Sequence, residues 1–348
     1  MNSTIALFLA QDGIINGAIY ALVGVTLVLV FAVTRIIFVP QGELIAWAAL
    51  TVAALEAGAV PGTAYLLVVL GAAAAALELA REWRELTARH LLAMLATDLA
   101  LPIGLLLAVI QLAPLKLGFT FNVIATLALL VPMGSLIYRI AFQPLAEATV
   151  LVLLIAAIGV HFALVGLGLV FFGAEGVRTT PLLSGTFPLG PLVVKWQSVS
   201  VLVVTLLVLG GLYVFFERTM MGKALRATAV NRLGARLVGV PVRATGRIAF
   251  TLAATIGAVS GILIGSLTTI YYDSGFLIGL KGFVGAILAG LGSYPLTALA
   301  AVFVGLLESY SAFFASAFKE VIVFSIIIPV LLWRSLTSGT HHDEDEEV

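Results

Sequence analysis

The chain has 348 residues, of which 61% are hydrophobic and only 10% are charged, and its mean hydropathy is +1.17. A soluble globular protein of this length needs more polar surface, so the composition excludes that class and favours a protein that spans a membrane. The formal net charge is zero and cysteine is absent, which argues against a nucleic-acid partner and excludes disulfide and thiol chemistry.

Ten segments are long and apolar enough to predict full membrane spans, since a spanning helix needs about 20 such residues. A shorter Gly-rich segment, 279–292, predicts a partial or re-entrant helix enclosed by protein. The fold class is therefore all-α, a polytopic transmembrane bundle over residues 1–334 followed by an acidic, disordered tail over 335–348. The ten predicted spans lie near 12–33, 40–58, 62–80, 91–113, 119–139, 149–171, 198–216, 248–271, 296–314 and 318–334.

The positions of Lys and Arg predict the orientation of the bundle. With the N-terminus outside and the short segment counted as a crossing, 13 of the 18 basic residues fall in cytoplasmic loops or the C-terminus and three fall outside. Cytoplasmic loops carry the excess of basic residues in membrane proteins. The sequence therefore predicts a multi-pass protein of the cell membrane with an external N-terminus and a cytoplasmic C-terminus.

The long cytoplasmic loop 217–247 is the strongest functional signal. Apolar residues recur every four positions at Leu225, Ala229, Leu233 and Leu237, with arginines between them. This pattern predicts a short amphipathic helix at the membrane surface, which would suit docking into a groove of a soluble partner. A plain basic loop is the alternative interpretation, and the pattern by itself leaves both open.

Motifs for catalysis, metal binding and nucleotide binding are missing from the sequence. His161 stands alone within a span and is expected to hydrogen-bond between helices. There is no GxxxxGK[ST] motif, so any ATP hydrolysis must belong to partner subunits. We therefore expect no catalytic residue, no metal site and no resident cofactor.

Charged residues within apolar stretches indicate function by default. Glu43 begins the second span, Lys281 begins the Gly-rich segment and Glu308 lies within a late span. Glu308 is expected to form a structural ion pair with Lys281 or Lys319, the alternative being contact with a substrate. The Gly-rich segment itself has two interpretations, close helix packing and a broken helix beside a substrate site. Two further carboxylates flank spans and are expected at the membrane interface: Glu78 and Asp98.

The segment MGKALRATAVNRLGARLVGVPVRATGRIAFTLAATIGAVSGILIG resembles the cytoplasmic loop and following helix of LivH-type permeases, which are subunits of branched-chain amino acid ABC transporters. Residues 17–44, 138–145, 279–295 and 305–332 resemble further parts of the same family in the correct order. The resemblance covers most of the chain.

The resemblance implies a membrane subunit of an ATP-driven importer for branched-chain or related amino acids. The implied partners are a second permease subunit, two cytoplasmic ATPase subunits that bind ATP, an external substrate-binding protein and membrane lipid. The positions that match the family's coupling loop are Gly222, Lys223, Ala224, Arg226, Asn231, Ala235 and Gly239. The candidates for the translocation path are Gly42, Glu43, Lys281, Gly290, Gly292 and Glu308.

The chain also departs from the family pattern. Phe38 and Gln41 stand where the family usually has Asn and His, and Ala289 and Leu296 replace glycines. Because these positions adjoin the expected path, a urea or short-amide cargo remains an alternative to amino acids. Residues 62–118 contain one more pair of helices than the family usually has, and we expect this pair at the periphery.

Two other functional classes are less well supported. An ion-coupled secondary carrier would use Glu43 and Glu308 to bind protons or sodium, but the coupling-type helix argues against it. A membrane-embedded enzyme would need a convergent set of catalytic groups, and the sequence offers none.

Overall fold

The computed structural model describes residues 3–82, 88–190 and 192–337 of the chain. Within these residues, nine helical segments are long and apolar enough to cross a membrane. They correspond to nine of the ten predicted spans, so the prediction of an all-α polytopic bundle is confirmed. The segments are Thr4–Thr34, Gly62–Arg81, Leu91–Leu115, Phe119–Leu145, Val150–Phe172, Trp196–Arg218, Val242–Ile264, Tyr294–Phe314 and Ser316–Trp333.

The described residues form mainly α-helices, with one small antiparallel hairpin between two of them. Short π-helical stretches at Leu95–Ala100 and Tyr138–Phe142 continue two of the helices. The helices are α1 Ser3–Thr34, α2 Gln41–Ala57, α3 Gly62–Glu82, α4 Ala88–Met94, α5 Leu101–Leu112, α6 Phe119–Ile137, α7 Val150–Phe172, α8 Trp196–Arg218, α9 Met220–Val230, α10 Arg232–Leu237, α11 Val242–Ile264, α12 Ser274–Leu288, α13 Tyr294–Phe314, α14 Lys319–Ser325 and α15 Ile327–Thr337. The strands β1 (Thr186–Leu189) and β2 (Leu192–Lys195) pair antiparallel in the connection 173–195 between α7 and α8, which is the predicted external loop because it lies at the opposite end of α8 from loop 217–247.

Helix α1 is the centre of the bundle and packs along α13. Glycines make this contact close, because a Cβ atom at Gly17 would lie 2.6 Å from the Cα of Val302 and one at Gly13 would lie 2.7 Å from the Cα of Leu306. In lipid, where apolar side chains gain little from leaving the solvent, small residues that bring backbones together favour helix association. The spacing of Gly13 and Gly17 therefore fixes the position of α13.

The helix at the second predicted span, 40–58, is too short to cross the membrane as predicted. Helix α2 has 17 residues and so measures about 25 Å, less than the roughly 30 Å hydrocarbon core. Its first twelve residues are all buried by neighbouring helices. It ends at Gly58, which has a φ of +80° and closes the helix in the left-handed conformation that glycine adopts without strain.

The predicted span 248–271 is also displaced, because α11 begins six residues earlier and ends at Ile264. The following segment, 265–273, is not helical and returns into the bundle. Ile270 of this segment forms an isolated antiparallel β-bridge with Val177, which follows α7. Phe276 then packs on His161 with ring centroids 4.9 Å apart. His161 is the central residue of α7, about 16 Å from each end. The short helix α12 therefore begins near mid-membrane.

This geometry favours the broken-helix interpretation of the Gly-rich region, although the break lies at 265–273 rather than within 279–292. At its other end, α12 stops before Gly290, which has a φ of +78°. The chain then reaches Tyr294, whose ring stacks on Phe216 at the end of α8. Residues 265–288 together thus connect the end that carries the predicted external loop with the end that carries loop 217–247.

The predicted extra pair of helices, 62–118, contains α3, α4 and α5. Helix α5 packs on α3 and α6 and leaves Leu107 55% exposed, so its place is peripheral as expected. Helix α3 is more central, because it also contacts α2 and α7. The predicted tail begins within α15, which extends to Thr337, and the rest of the tail lies outside the described residues.

Candidate functional site

A buried acid and an imidazole meet at the centre of the bundle. Glu43 has no exposed surface, and its Oε1 lies 3.1 Å from Nδ1 of His161. The two atoms are within ion-pair distance. In the described part of the protein, however, neither Nδ1 of His161 nor either carboxylate oxygen of Glu43 has a hydrogen-bond partner. The expected polar contact of His161 between helices is present as this approach to Glu43, although the two groups do not form a regular hydrogen bond. A buried carboxylate without hydrogen bonds is costly, which marks this position as a candidate functional site.

Two helix starts position this pair. Glu43 lies in the first turn of α2, which follows the turn at Pro40. Gly42 lies in backbone contact with Gly275 near the start of α12, and a Cβ atom at Gly279 would lie 3.3 Å from the Cα of Gly42. Both helix N-termini therefore converge at the level of Glu43. The positive ends of their backbone dipoles favour negative charge there.

Asp273, which had no signal of its own in the charge pattern, lies close to this pair but nearer the Phe172 end of α7. Its neighbour Tyr272 packs on Gly168, close to that end. Asp273 directly precedes α12 and is exposed, and Phe276 one turn later is 39% exposed. Among the described residues it forms no ion pair. A carboxylate within the depth that α7 spans cannot face hydrocarbon without a large cost, so this side of α12 must face water or a partner subunit. The signal for it was the polar YYDSG segment between two apolar stretches.

The two family departures nearest this site fill space within the bundle. Phe38 is fully buried and packs on Phe250 at 4.7 Å and on Phe142 at 6.0 Å between ring centroids. Gln41 donates from Nε2 to the carbonyl of Ala253 at 3.1 Å, while its Oε1 has no partner among the described residues.

Lys281 and Glu308 form the ion pair that the sequence predicted. Lys281 Nζ lies 2.5 Å from Glu308 Oε1 and 3.2 Å from Glu320 Oε1, and Tyr20 donates a 2.6 Å hydrogen bond to Glu308 Oε2. Lys319 contacts Glu320 instead, at 3.7 Å. The group joins α1, α12, α13 and α14 and has a structural role, because each buried charge has an opposite partner.

Glu78 and Asp98, which were expected at the membrane interface, bind Arg139 between the helices instead of facing solvent. Arg139 donates to both oxygens of Asp98 at 2.6 Å and also binds Glu78. Asp98 is only 2% exposed. Both Arg139 and Asp98 belong to π-helical turns, which turn the two side chains toward each other.

Loop 217–247 forms two helices rather than one. Thr219 caps α9 by accepting from the N–H of Gly222 at 2.9 Å, and Asn231 caps α10 by accepting from the N–H of Gly234 at 2.7 Å. The chain changes direction at Asn231, so the four-residue apolar repeat does not continue on one face. Leu225 is buried, whereas Leu233 is 67% exposed.

The residues matched to the coupling loop mostly shape this unit. Gly222 lies against the backbone at Phe215, Ala235 is buried, and Gly239 has a φ of +84° that ends α10. Lys223 and Arg226 are exposed and Ala224 is half-buried. The exposed apolar side chains around them are Met220, Met221, Val230, Leu233, Leu237 and Val238, which we call the apolar loop surface.

The arginines of the loop largely bind the chain itself. Arg226 Nη2 lies 2.7 Å from Glu217 Oε1, Arg232 donates to the carbonyl of Ala146 at 3.1 Å, and Arg236 lies 3.7 Å from a carboxylate oxygen of Glu147. The exposed remainder of the loop consists of apolar side chains together with Arg218, Lys223 and Arg243. The remaining path candidates, Gly290 and Gly292, lie in the turn after α12 and away from Glu43.

Comparison with known proteins agrees with this architecture. The family model described as branched-chain amino acid transport system, permease component, matches residues 9–331. The high-affinity branched-chain amino acid transport system permease protein BraD of Pseudomonas aeruginosa is 32% identical over 251 residues, covering 70% of this chain and 77% of that protein. The corresponding LivH of Escherichia coli K12 is 30% identical over 207 residues, covering 57% of this chain and 67% of that protein. No solved structure matches the chain significantly.

Proposed function

This chain belongs to the family of branched-chain amino acid transport permeases, and we propose from this premise that it is the membrane-embedded subunit of an ATP-driven importer. Its cargo would be branched-chain or related amino acids that an external binding protein delivers. A second permease subunit would complete the path, and two cytoplasmic ATPase subunits would bind and hydrolyse ATP. The N-terminus would lie outside and the C-terminus in the cytoplasm.

The observation that carries this proposal is the apolar loop surface. Methionine, valine and leucine side chains that are 60–81% exposed lie outside any span on a rigid, capped unit. An exposed apolar cluster with a polar rim marks a protein interaction site. An ATPase domain that engages it could transmit its closure to α8 and α11, which leave the two ends of the loop, and thereby switch access between the two sides of the membrane.

The test is copurification with candidate ATPase subunits. Leu233→Asp combined with Leu237→Asp should abolish ATPase binding and ATP-driven uptake, because both side chains are exposed and form few internal contacts. Val193→Asp, an exposed apolar residue of β2 at the opposite end, is the matched control and should bind ATPase normally. Normal ATPase binding by the double variant would contradict the proposal.

We propose that the translocation path passes Glu43 and Asp273, where one face at the start of α12 is exposed within the depth that α7 spans. The carboxylates suit the ammonium group of an amino acid, while urea and short amides carry no such charge. Binding and uptake of leucine against urea, measured with the cognate external protein, separates the two cargoes. Uptake of urea without leucine would replace the amino-acid proposal.

A further inference from the structure

A polar cavity of about 430 Å³ lies between α3, α6 and α11, at the end of the bundle that carries loop 217–247. It is separate from Glu43 and from the apolar loop surface. Four of its lining residues are arginines, and the remaining polar residues are Glu78 and Gln143. The arginines are Arg81, Arg139, Arg243 and Arg247.

Among the described residues, the arginines of this cavity outnumber the carboxylates beside them by four to two. Asp98 and Glu78 both bind Arg139, which fixes that guanidinium as the floor of the cavity. In the described part of the chain, none of the other three arginines forms a direct ion pair with a carboxylate. Arg247 donates to the amide oxygen of Gln143, at 3.3 Å, and Arg81 and Arg243 are exposed at the rim. The remaining excess of positive charge around one cavity favours an anion between the arginines.

We propose that this cavity binds the phosphate group of an anionic ligand, and that a phospholipid headgroup is the source. Guanidinium groups bind phosphate in a bidentate manner and are weakly hydrated, so they suit this ligand better than lysines would. The lining arginines stand at the ends of membrane-crossing helices, which is the depth of the headgroups, and basic pockets between spans are known to hold anionic headgroups. A soluble phosphate compound would use the same chemistry.

The site connects the extra pair of helices to loop 217–247. Arg81 belongs to α3, while Arg243 and Arg247 belong to the first turns of α11, which form the last part of that loop. A bound phosphate would join the periphery of the bundle to the base of the loop. The proposal does not depend on the cargo or on transport.

The experiment uses the full chain purified in detergent and stripped of lipid. Native mass spectrometry measures retention of phosphatidylglycerol against phosphatidylcholine, and a parallel thermal-shift series uses inorganic phosphate. Arg81→Gln with Arg243→Gln should weaken phosphatidylglycerol retention roughly 30-fold, at about 1 kcal/mol for each lost charge. Arg218→Gln, an exposed arginine at the same end, is the control and should behave as wild type.

If the wild type retains phosphatidylglycerol selectively and the double variant does not, the site is supported with lipid as the source. If phosphate stabilises the wild type but not the double variant, and neither prefers one lipid, the site is supported with a soluble source. Equal behaviour of wild type and double variant in both series overturns the proposal. Arg81→Lys with Arg243→Lys keeps both charges but loses the bidentate geometry, so it should restore part of the binding. Retention no better than that of the double glutamine variant would show that charge was not what was lost, which also overturns the proposal.

Discussion

At the scale of single residues, the most unusual group is Glu43. It is fully buried and lacks hydrogen bonds among the described residues. Among those residues, the one titratable group at ion-pair distance from its carboxylate is the imidazole of His161. Folding alone would favour an apolar residue here, because removing a carboxylate from water costs several kcal/mol without good partners. Retention of such a group is reasonable where a moving cargo supplies the missing partner during transport.

We therefore expect Glu43→Gln to reduce ATP-driven uptake at least about tenfold while the complex still assembles, which corresponds to roughly 1.4 kcal/mol of lost interaction. Glutamine keeps the shape of the side chain and removes only the charge. Uptake into proteoliposomes measures the effect. Glu56→Gln is the control, because Glu56 belongs to the same helix but binds Thr180 at the outer end. Wild-type uptake by Glu43→Gln would remove Glu43 from the path.

The second residue-scale prediction concerns Lys281 and Glu308. Removing one partner leaves an unpaired buried charge, so Lys281→Met and Glu308→Met should each destabilise the protein by about 3–5 kcal/mol. The double variant should be much less destabilised than the sum, because both charges are gone. Denaturant unfolding in detergent measures the three variants. Simple additivity would show that the ion pair does not couple the helices, and Lys319→Met, which removes an exposed lysine beside Glu320, serves as the control.

At the scale of elements, loop 217–247 depends on its caps. The Asn231 side chain satisfies the first turn of α10, a helix of only six residues that has little stability of its own. Asn231→Ala should cost about 1 kcal/mol, raise hydrogen exchange over 232–237 and weaken coupling of ATP hydrolysis to uptake. Asn231→Asp can still cap the helix, so it should keep hydrogen exchange over 232–237 and the coupling of ATP hydrolysis to uptake close to wild type. Unchanged exchange in Asn231→Ala would show that neighbouring contacts, not the cap, hold α10.

The same loop shows what sequence patterns predict and what they miss. The repeat from Leu225 to Leu237 predicted a helix at the right place, because a period near four residues is local information. It could not predict the break at Asn231, since a capping side chain and an ordinary helical asparagine look alike without the fold. The exposure of Leu233 likewise depends on which surfaces other elements cover.

The region after α11 makes the same point for the candidate site. Apolar residues continue to Tyr272, so composition extended the span to 271, whereas the backbone leaves the helix at 265 to pair with Val177. This pairing is long-range and has no local signature. Glu43 and the Lys281–Glu308 pair were found from the sequence because charge within an apolar stretch is rare. Their neighbours His161 and Asp273 required the folded chain.

At the scale of the whole molecule, the basic residues gather at one end. Two cavities there are lined by arginines, and loop 217–247 joins the same end. The opposite end carries the hairpin and the contact between Glu56 and Thr180. By the positive-inside rule, this segregation favours a cytoplasmic location for the end that carries loop 217–247.

Because the chain contains no cysteine, single cysteines can report on orientation and on the path without a prior replacement. In intact cells, Thr180→Cys should react with a membrane-impermeant thiol reagent and Val238→Cys should react only after permeabilisation. The reverse pattern would invert the proposed orientation. Both residues lie in connecting segments outside the membrane-crossing helices. Because Val238 belongs to the apolar loop surface, the labelling is done in cells that lack the ATPase subunits, so that it tests sidedness alone.

The path itself can be tested with cysteines inside the membrane-spanning depth. Asp273→Cys should react with a small charged thiol reagent, because an exposed carboxylate within the depth that α7 spans requires water beside α12. Leu207→Cys, at the centre of α8 and 68% exposed, should not react, because an exposed leucine at that depth faces hydrocarbon. If the amino acid passes Asp273, binding protein loaded with cargo should slow the reaction. Equal reactivity at both positions would mean that depth, not a water-filled path, determines access.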